Sequence, residues 1–260
     1  MTLHFQIIRI SFVLLLLSGG GIYGQINESD TAGFRLQAGL SGAWQQGNVE
    51  LLSLRGRIEL VTSGREALVF KSQNTTLYQE FSARKADNDI YSRNFLYWEP
   101  GETVYPFAMI FLQTNIRRKI DFRWFAGAGA TWQFLQNDYA VLKLSAAMVR
   151  EETQFLSSQF TQEYYDGRND IRLWRGTVYT SGWIRFPESA LRINYSAYWQ
   201  PGQDEIPNKR FQADISLSLP LWRGLNMQAV YTFSHEEITP VRVQQQDHLL
   251  TFGFSYQFTQ

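Results

Sequence analysis

The 260-residue chain has no cysteine, which excludes disulfides, thiolate metal sites, a cysteine nucleophile and the lipidated cysteine of a bacterial lipoprotein. An excess of either charge is also missing, with 24 Lys plus Arg against 24 Asp plus Glu. Nucleic-acid binding needs a concentrated positive surface, so no such partner is expected. Charged residues make up only 18% of the chain, below the roughly 25% of an average soluble domain. Long hydrophobic runs are lacking apart from residues 10–17, which fall short of the roughly 20 apolar residues of a spanning helix. That run follows His4 and Arg9 and precedes the small residues Ser18 to Gly21, the order of a secretory signal. The reading is a signal peptide over 1–24, cleaved after Gly24, then a short periplasmic segment over 25–33 and one domain over 34–260.

What the chain does have is aromatic residues, 15% of the total, and a two-residue alternation. A strand sends successive side chains to opposite faces, so alternation marks two different environments. Over 211–219, Phe211, Ala213, Ile215, Leu217 and Leu219 alternate with Gln212, Asp214, Ser216 and Ser218. Over 250–258, Leu250, Phe252, Phe254, Tyr256 and Phe258 alternate with Thr251, Gly253, Ser255 and Gln257. About twelve such segments can be traced, near 34–46, 49–62, 65–79, 88–98, 104–114, 119–133, 139–151, 171–185, 189–199, 208–220, 224–236 and 247–258. Most reach the roughly 9 to 11 residues that a tilted strand needs to cross a bilayer, and bacterial single-chain barrels have an even strand number. The fourth and eighth segments fit least well, because Arg93 shares a face with Phe95 and Tyr97, and Arg175 with Leu173 and Tyr179. A bulge or a shifted register is the expected reason.

Even-numbered connections are short, and odd-numbered ones such as 82–88, 153–170, 201–208 and 238–246 are longer and more polar. Outer-membrane barrels show this asymmetry between periplasmic turns and outer loops. Trp44 and Trp199 fall near the outer ends, and Trp98, Tyr105, Trp132, Trp183 and Tyr256 near the inner ends, as interfacial girdles require. The expected fold is therefore an all-β antiparallel transmembrane barrel in the bacterial outer membrane, with its apolar set facing lipid. Its lumen would be lined by Arg35, Arg55, Arg57, Glu59, Lys71, Asp121, Arg123, Lys143, Arg192 and Asp214, with Gln37, Gln228 and Gln257. Either these groups line a narrow passage for polar or anionic solutes, or they pair across the lumen and plug it. Gly127 and Gly129, on the inward face, would leave room for a long side chain opposite.

At the first hairpin, Gly42-Ala-Trp44-Gln-Gln-Gly47-Asn48 resembles the Gly-x-Trp-x-x-Gly-Asn signature of the YdiY-like family of salt-induced outer membrane proteins, domain of unknown function 481. Gly47-Asn48 suits a tight turn needing positive φ. The strand Phe125-Ala-Gly127-Ala-Gly129 and the charged segment 142–152 after it are similar to that family as well. The resemblance implies an outer-membrane location and supplies no catalytic residues. The end of the chain departs from the usual outer-membrane pattern, since Thr259 and Gln260 follow Phe258.

Chemistry-bearing motifs are sparse. Hydrolysis needs a nucleophile with a histidine base in reach, and His235 and His248 fall on the outward face, while Ser234 points the other way. The stretch 166–170 lacks EF-hand spacing, and Asn74-Thr-Thr76 and Asn194-Tyr-Ser196 lie within strands. No cofactor, metal or catalytic residue is expected. The expected partners are outer-membrane lipids and, during biogenesis, the barrel assembly machinery. A surface-binding role would use the loop 153–170, with Tyr164 and Tyr165.

Overall fold

A computed structural model describes residues 33–259, except 47–49, 66, 83, 187 and 204–206. The expected signal peptide, most of the segment 25–33, and Gly47 and Asn48 lie outside the described residues. The alternating segments form twelve strands: β1 (Phe34–Gln45), β2 (Leu51–Arg65), β3 (Leu68–Phe81), β4 (Arg84–Trp98), β5 (Val104–Asn115), β6 (Ile120–Gln136), β7 (Ala140–Phe155), β8 (Asp170–Arg185), β9 (Arg192–Pro201), β10 (Lys209–Trp222), β11 (Leu225–Glu236) and β12 (Gln246–Thr259). Each pairs with its chain neighbours, and β1 closes the barrel on β12, from Arg35↔Thr259 to Ser41↔Gly253. Closure leaves no open edge, which matters where an unpaired N–H or C=O in hydrocarbon costs several kcal/mol.

Both ends of the barrel sequence lie on one rim with the connections 66–67, 99–103, 137–139, 186–191 and 223–224; we call it the turn rim. The other, the loop rim, carries 46–50, 82–83, 116–119, 156–169, 202–208 and 237–245. The expected loop over 82–88 is a correction. β4 starts at Arg84 and turns tightly from β3 through Ser82, at φ 49°. Residues 84–89, polar except for Ala86, show no alternation, which reads as a loop in sequence but suits a strand at a rim.

The wall is uneven in height. β6, β7 and β8 run for 17, 16 and 16 residues, and β9 for 10. The β7–β8 ladder continues to Gln154↔Asp170, but the β8–β9 ladder stops at Val178↔Trp199. Beyond that fork Gly202 and Gln203 lie along β8, through the bridge Arg175↔Gly202 and the bond from Gln203 N to Trp174 O at 3.0 Å.

Outward positions carry the large exposed apolar side chains, among them Leu40, Ile58, Ile110, Leu144, Ile215, Leu217, Leu250 and Phe252. Trp44, Trp199, Trp98, Trp132 and Tyr256 point outward at the strand ends. Tyr105 and Trp183 do not belong with them. Tyr105 is fully buried, and the Trp183 ring stacks under the Arg192 guanidinium at 4.0 Å. Both sit on inward positions, where a large ring fills lumen space.

The fourth and eighth strands also need correction. No bulge separates Arg93 from Phe95 and Tyr97, nor Arg175 from Leu173 and Tyr179. All face inward, because one side of the lumen is an apolar core of Tyr91, Phe95, Tyr97, Tyr105, Phe107, Met109, Phe111 and Phe125. Phe111 packs on Phe125 at 4.4 Å and edge-on to Phe95 at 5.4 Å. A twelve-stranded barrel is wider than one that ordinary side chains fill, and these rings take up the extra width. At Gly127 and Gly129 the neighbouring strand itself leaves no space for a side chain. A Cβ at Gly127 would lie 2.0 Å from Met148 O, and one at Gly129 2.1 Å from Ala146 O. They let β6 bend close against β7.

Candidate functional site: the barrel lumen

Parity along the strands brings most of the expected residues into the lumen. Arg35, Glu59, Lys71, Arg123, Lys143, Arg192 and Asp214 are buried on inward positions, and Arg55 and Arg57 lie beside them, Arg57 donating to Glu59. Asp121 does not join the set. It is the extra residue of a bulge between Ile120 and Phe122 and is exposed, since a bulge breaks the parity on which the expectation rested.

The loop rim is capped. The connection 156–169, with a 3-10 turn at Glu163–Tyr165, folds across the mouth and buries Phe160 and Tyr165 against Ile120, Phe155, Ile171, Leu173 and Ile238. Backbone bonds tie it to the 237–245 connection, from Thr161 N to Thr239 O at 3.2 Å and from Val241 N to Gln159 O at 2.9 Å. Of the two tyrosines suited to surface binding, Tyr165 is thus inside the cap, and Tyr164 alone is exposed.

Under the cap an ionic network crosses the lumen. Arg123 donates two bonds to Glu236, at 2.7 and 3.0 Å. Glu151 accepts from Arg175 Nε and Arg210 Nη2, both at 2.7 Å. Arg175 also donates to the Asn208 carbonyl at 2.7 Å, and Asn208 Nδ2 to the Tyr165 hydroxyl at 3.0 Å, so the network is fastened to the cap. In the 116–119 turn, Arg118 reaches across to Asp247 on β12 at 2.5 Å, and Arg117 pairs with both Asp87, at 3.2 Å, and Asp247, at 2.9 Å. Glu151, Arg210 and Glu236 escaped the sequence reading although they share parity with Lys143, Asp214 and Gln228. Arg118 lies in a turn and has no parity to betray it.

Polar cavities occupy other parts of the lumen. One, near the loop rim, holds about 780 Å³ including space open to solvent, and Arg55, Asp89, Arg93, Arg118, Asp214 and Asp247 are among its lining residues. A second, of about 330 Å³, is lined by Arg57, Glu59, Asn194, Ser216, Ser218 and Gln228. In the first of them, Asp214 faces Arg93 at 3.6 Å and Arg55 at 3.9 Å. On the aromatic side a smaller cavity of about 290 Å³ lies among Phe95, Phe107, Phe111, Tyr179 and Tyr198. The two histidines are remote from all of this: His248 Nδ1 lies 2.7 Å from the Tyr231 hydroxyl, both on outward positions.

Closed topology, outward apolar side chains and an inward charged set define a β-barrel of the outer-membrane type. The chain belongs to the family of proteins of unknown function DUF481, which it matches over residues 36–258. No curated protein matches it. Among solved structures, it is similar to the COG4313 outer membrane channel from Pseudomonas putida F1, at 12% identity and a TM-score of 0.50, over 92% of this chain and 100% of that one. The β domain of the Bordetella autotransporter BrkA is similar at 10% identity and a TM-score of 0.45, over 88% of this chain and 100% of that one.

Proposed function

We propose that the protein sits in the bacterial outer membrane with its turn rim toward the periplasm. There it acts as a narrow passive channel for small polar or anionic solutes, shut at rest by its own side chains. One observation carries this reading. Two polar cavities follow one another along β2 and β10, the first reaching Arg55 and Asp214 and the second Arg57 and Ser216, the next inward positions of the same strands. A barrel serving only as a structural member has no need of paired cavities along its length. Catalysis has no part in the proposal.

The test is single-channel recording in planar bilayers. Wild-type protein should give brief, small openings, and Arg118→Ala, which removes the crossing to Asp247, should lengthen them. If both stay silent at every voltage, a role in envelope integrity takes the place of transport.

A further inference from the structure

We infer that the loop-side cavity binds a small monocarboxylate, and that Asp214 is its built-in competitor. This deepens the channel reading by naming a solute class, and rests on that reading for its biological purpose.

Asp214 faces two guanidinium groups without hydrogen-bonding to either. Arg93 Nη2 stands 3.6 Å from its carboxylate and Arg55 Nη2 3.9 Å, beyond the roughly 2.7 to 3.2 Å of an N–H···O bond. The bond it does accept is from Thr232 Oγ1, at 2.7 Å, with Gln212 Nε2 farther off at 3.5 Å. Arg55 spends one Nη1 bond on Thr232, at 3.1 Å. Buried Arg93 Nε and Arg118 Nη1 have no hydrogen-bond partner among the described residues. Guanidinium favours forked, bidentate contact with a carboxylate, and Asp214, tethered to β10, does not provide it. A free carboxylate in the adjoining cavity does, and the cavity has room for only a small one. Its lining residues include four arginines, Arg55, Arg93, Arg117 and Arg118, and four acids, Asp89, Asp214, Glu236 and Asp247, so beyond the single charge that meets the open donors a second negative charge finds no spare cation. The solute is therefore a monoanion.

The experiment is a ligand-observed NMR titration of folded protein in detergent micelles with sodium acetate, repeated with sodium succinate. Wild type should bind acetate saturably and succinate more weakly. Asp214→Asn should tighten acetate binding roughly tenfold and Arg93→Gln weaken it roughly tenfold, the size expected for one charge-assisted hydrogen bond. Should Arg93→Gln not fold, Asp214→Asn decides alone, because a gain in affinity does not arise from misfolding. The inference is overturned if wild type shows no saturable acetate binding, if succinate binds as well as acetate, or if folded Asp214→Asn binds acetate no tighter than wild type. Acetate binding without conductance keeps the site and sinks the channel; conductance without acetate binding does the reverse.

Discussion

Gly127 and Gly176 lie in strands of the same wall, yet the space a methyl group would meet differs. At Gly127 it would run into the backbone of β7, with Met148 O at 2.0 Å, whereas at Gly176 its nearest neighbour is Pro201 Cγ at 4.0 Å. Gly127→Ala should cost about 1 to 3 kcal/mol, the range for forced overpacking, and Gly176→Ala close to nothing, as read from urea unfolding in micelles. Glu151 makes a second residue-scale case. Held between Arg175 and Arg210 and 1% exposed, it balances cations that burial leaves without water. Glu151→Gln should cost about 3 to 5 kcal/mol in the same assay, as when one partner of a buried pair is lost. At this scale the sequence was readable wherever parity held, as for Glu59, Lys71, Lys143 and Asp214. It misled at Asp121, where a bulge resets the count. It was silent at Arg118, whose partners Asp247 and Glu236 lie more than a hundred residues further along the chain.

Among the elements, the connection 156–169 departs furthest from its reading in sequence. Its polar composition suggests a solvated loop, and nothing local indicates that Phe160 will meet Phe155 edge-on at 5.0 Å or bridge to Pro240. Those contacts depend on the 237–245 connection arriving beside it, which only the closed barrel arranges. Phe160→Ala should loosen the cap and leave the strands intact. Limited trypsin digestion would then cut after Arg168 at a protein-to-protease ratio that spares wild type, while the barrel keeps its heat-dependent gel mobility. Equal resistance in both proteins would count against the cap. β4 teaches the opposite lesson, since its first turn of polar residues was a strand all along. Alternation identifies strands where two environments differ, and at a rim they do not.

For the molecule as a whole, the claim most exposed to test is which side faces lipid. Leu217 points outward and is 44% exposed, whereas its neighbour Ser216 lines the lower lumen cavity. Leu217→Arg should cost about 2 to 4 kcal/mol near mid-bilayer, and Ser216→Arg less, in refolding into liposomes; equal penalties would undo the assignment. Strand number and order were legible in the periodicity, and the facing only with strand length and loop asymmetry added. How the interior is filled was not, because periodicity separates two faces without saying what either one touches. β5 shows why: Tyr105, Phe107, Met109 and Phe111 face in while Ala108 and Ile110 face out, so an inner core and a lipid surface look alike in its sequence.

The unequal height of the wall also sets a direction. With β6, β7 and β8 standing above β9, the cylinder ends on a slant, and the cap hangs from its high side. A solute bound for the polar cavity would, with the turn rim toward the periplasm as proposed, enter over the low flank, close to the surrounding headgroups. On that proposal the membrane surface would be the first filter and the barrel the second.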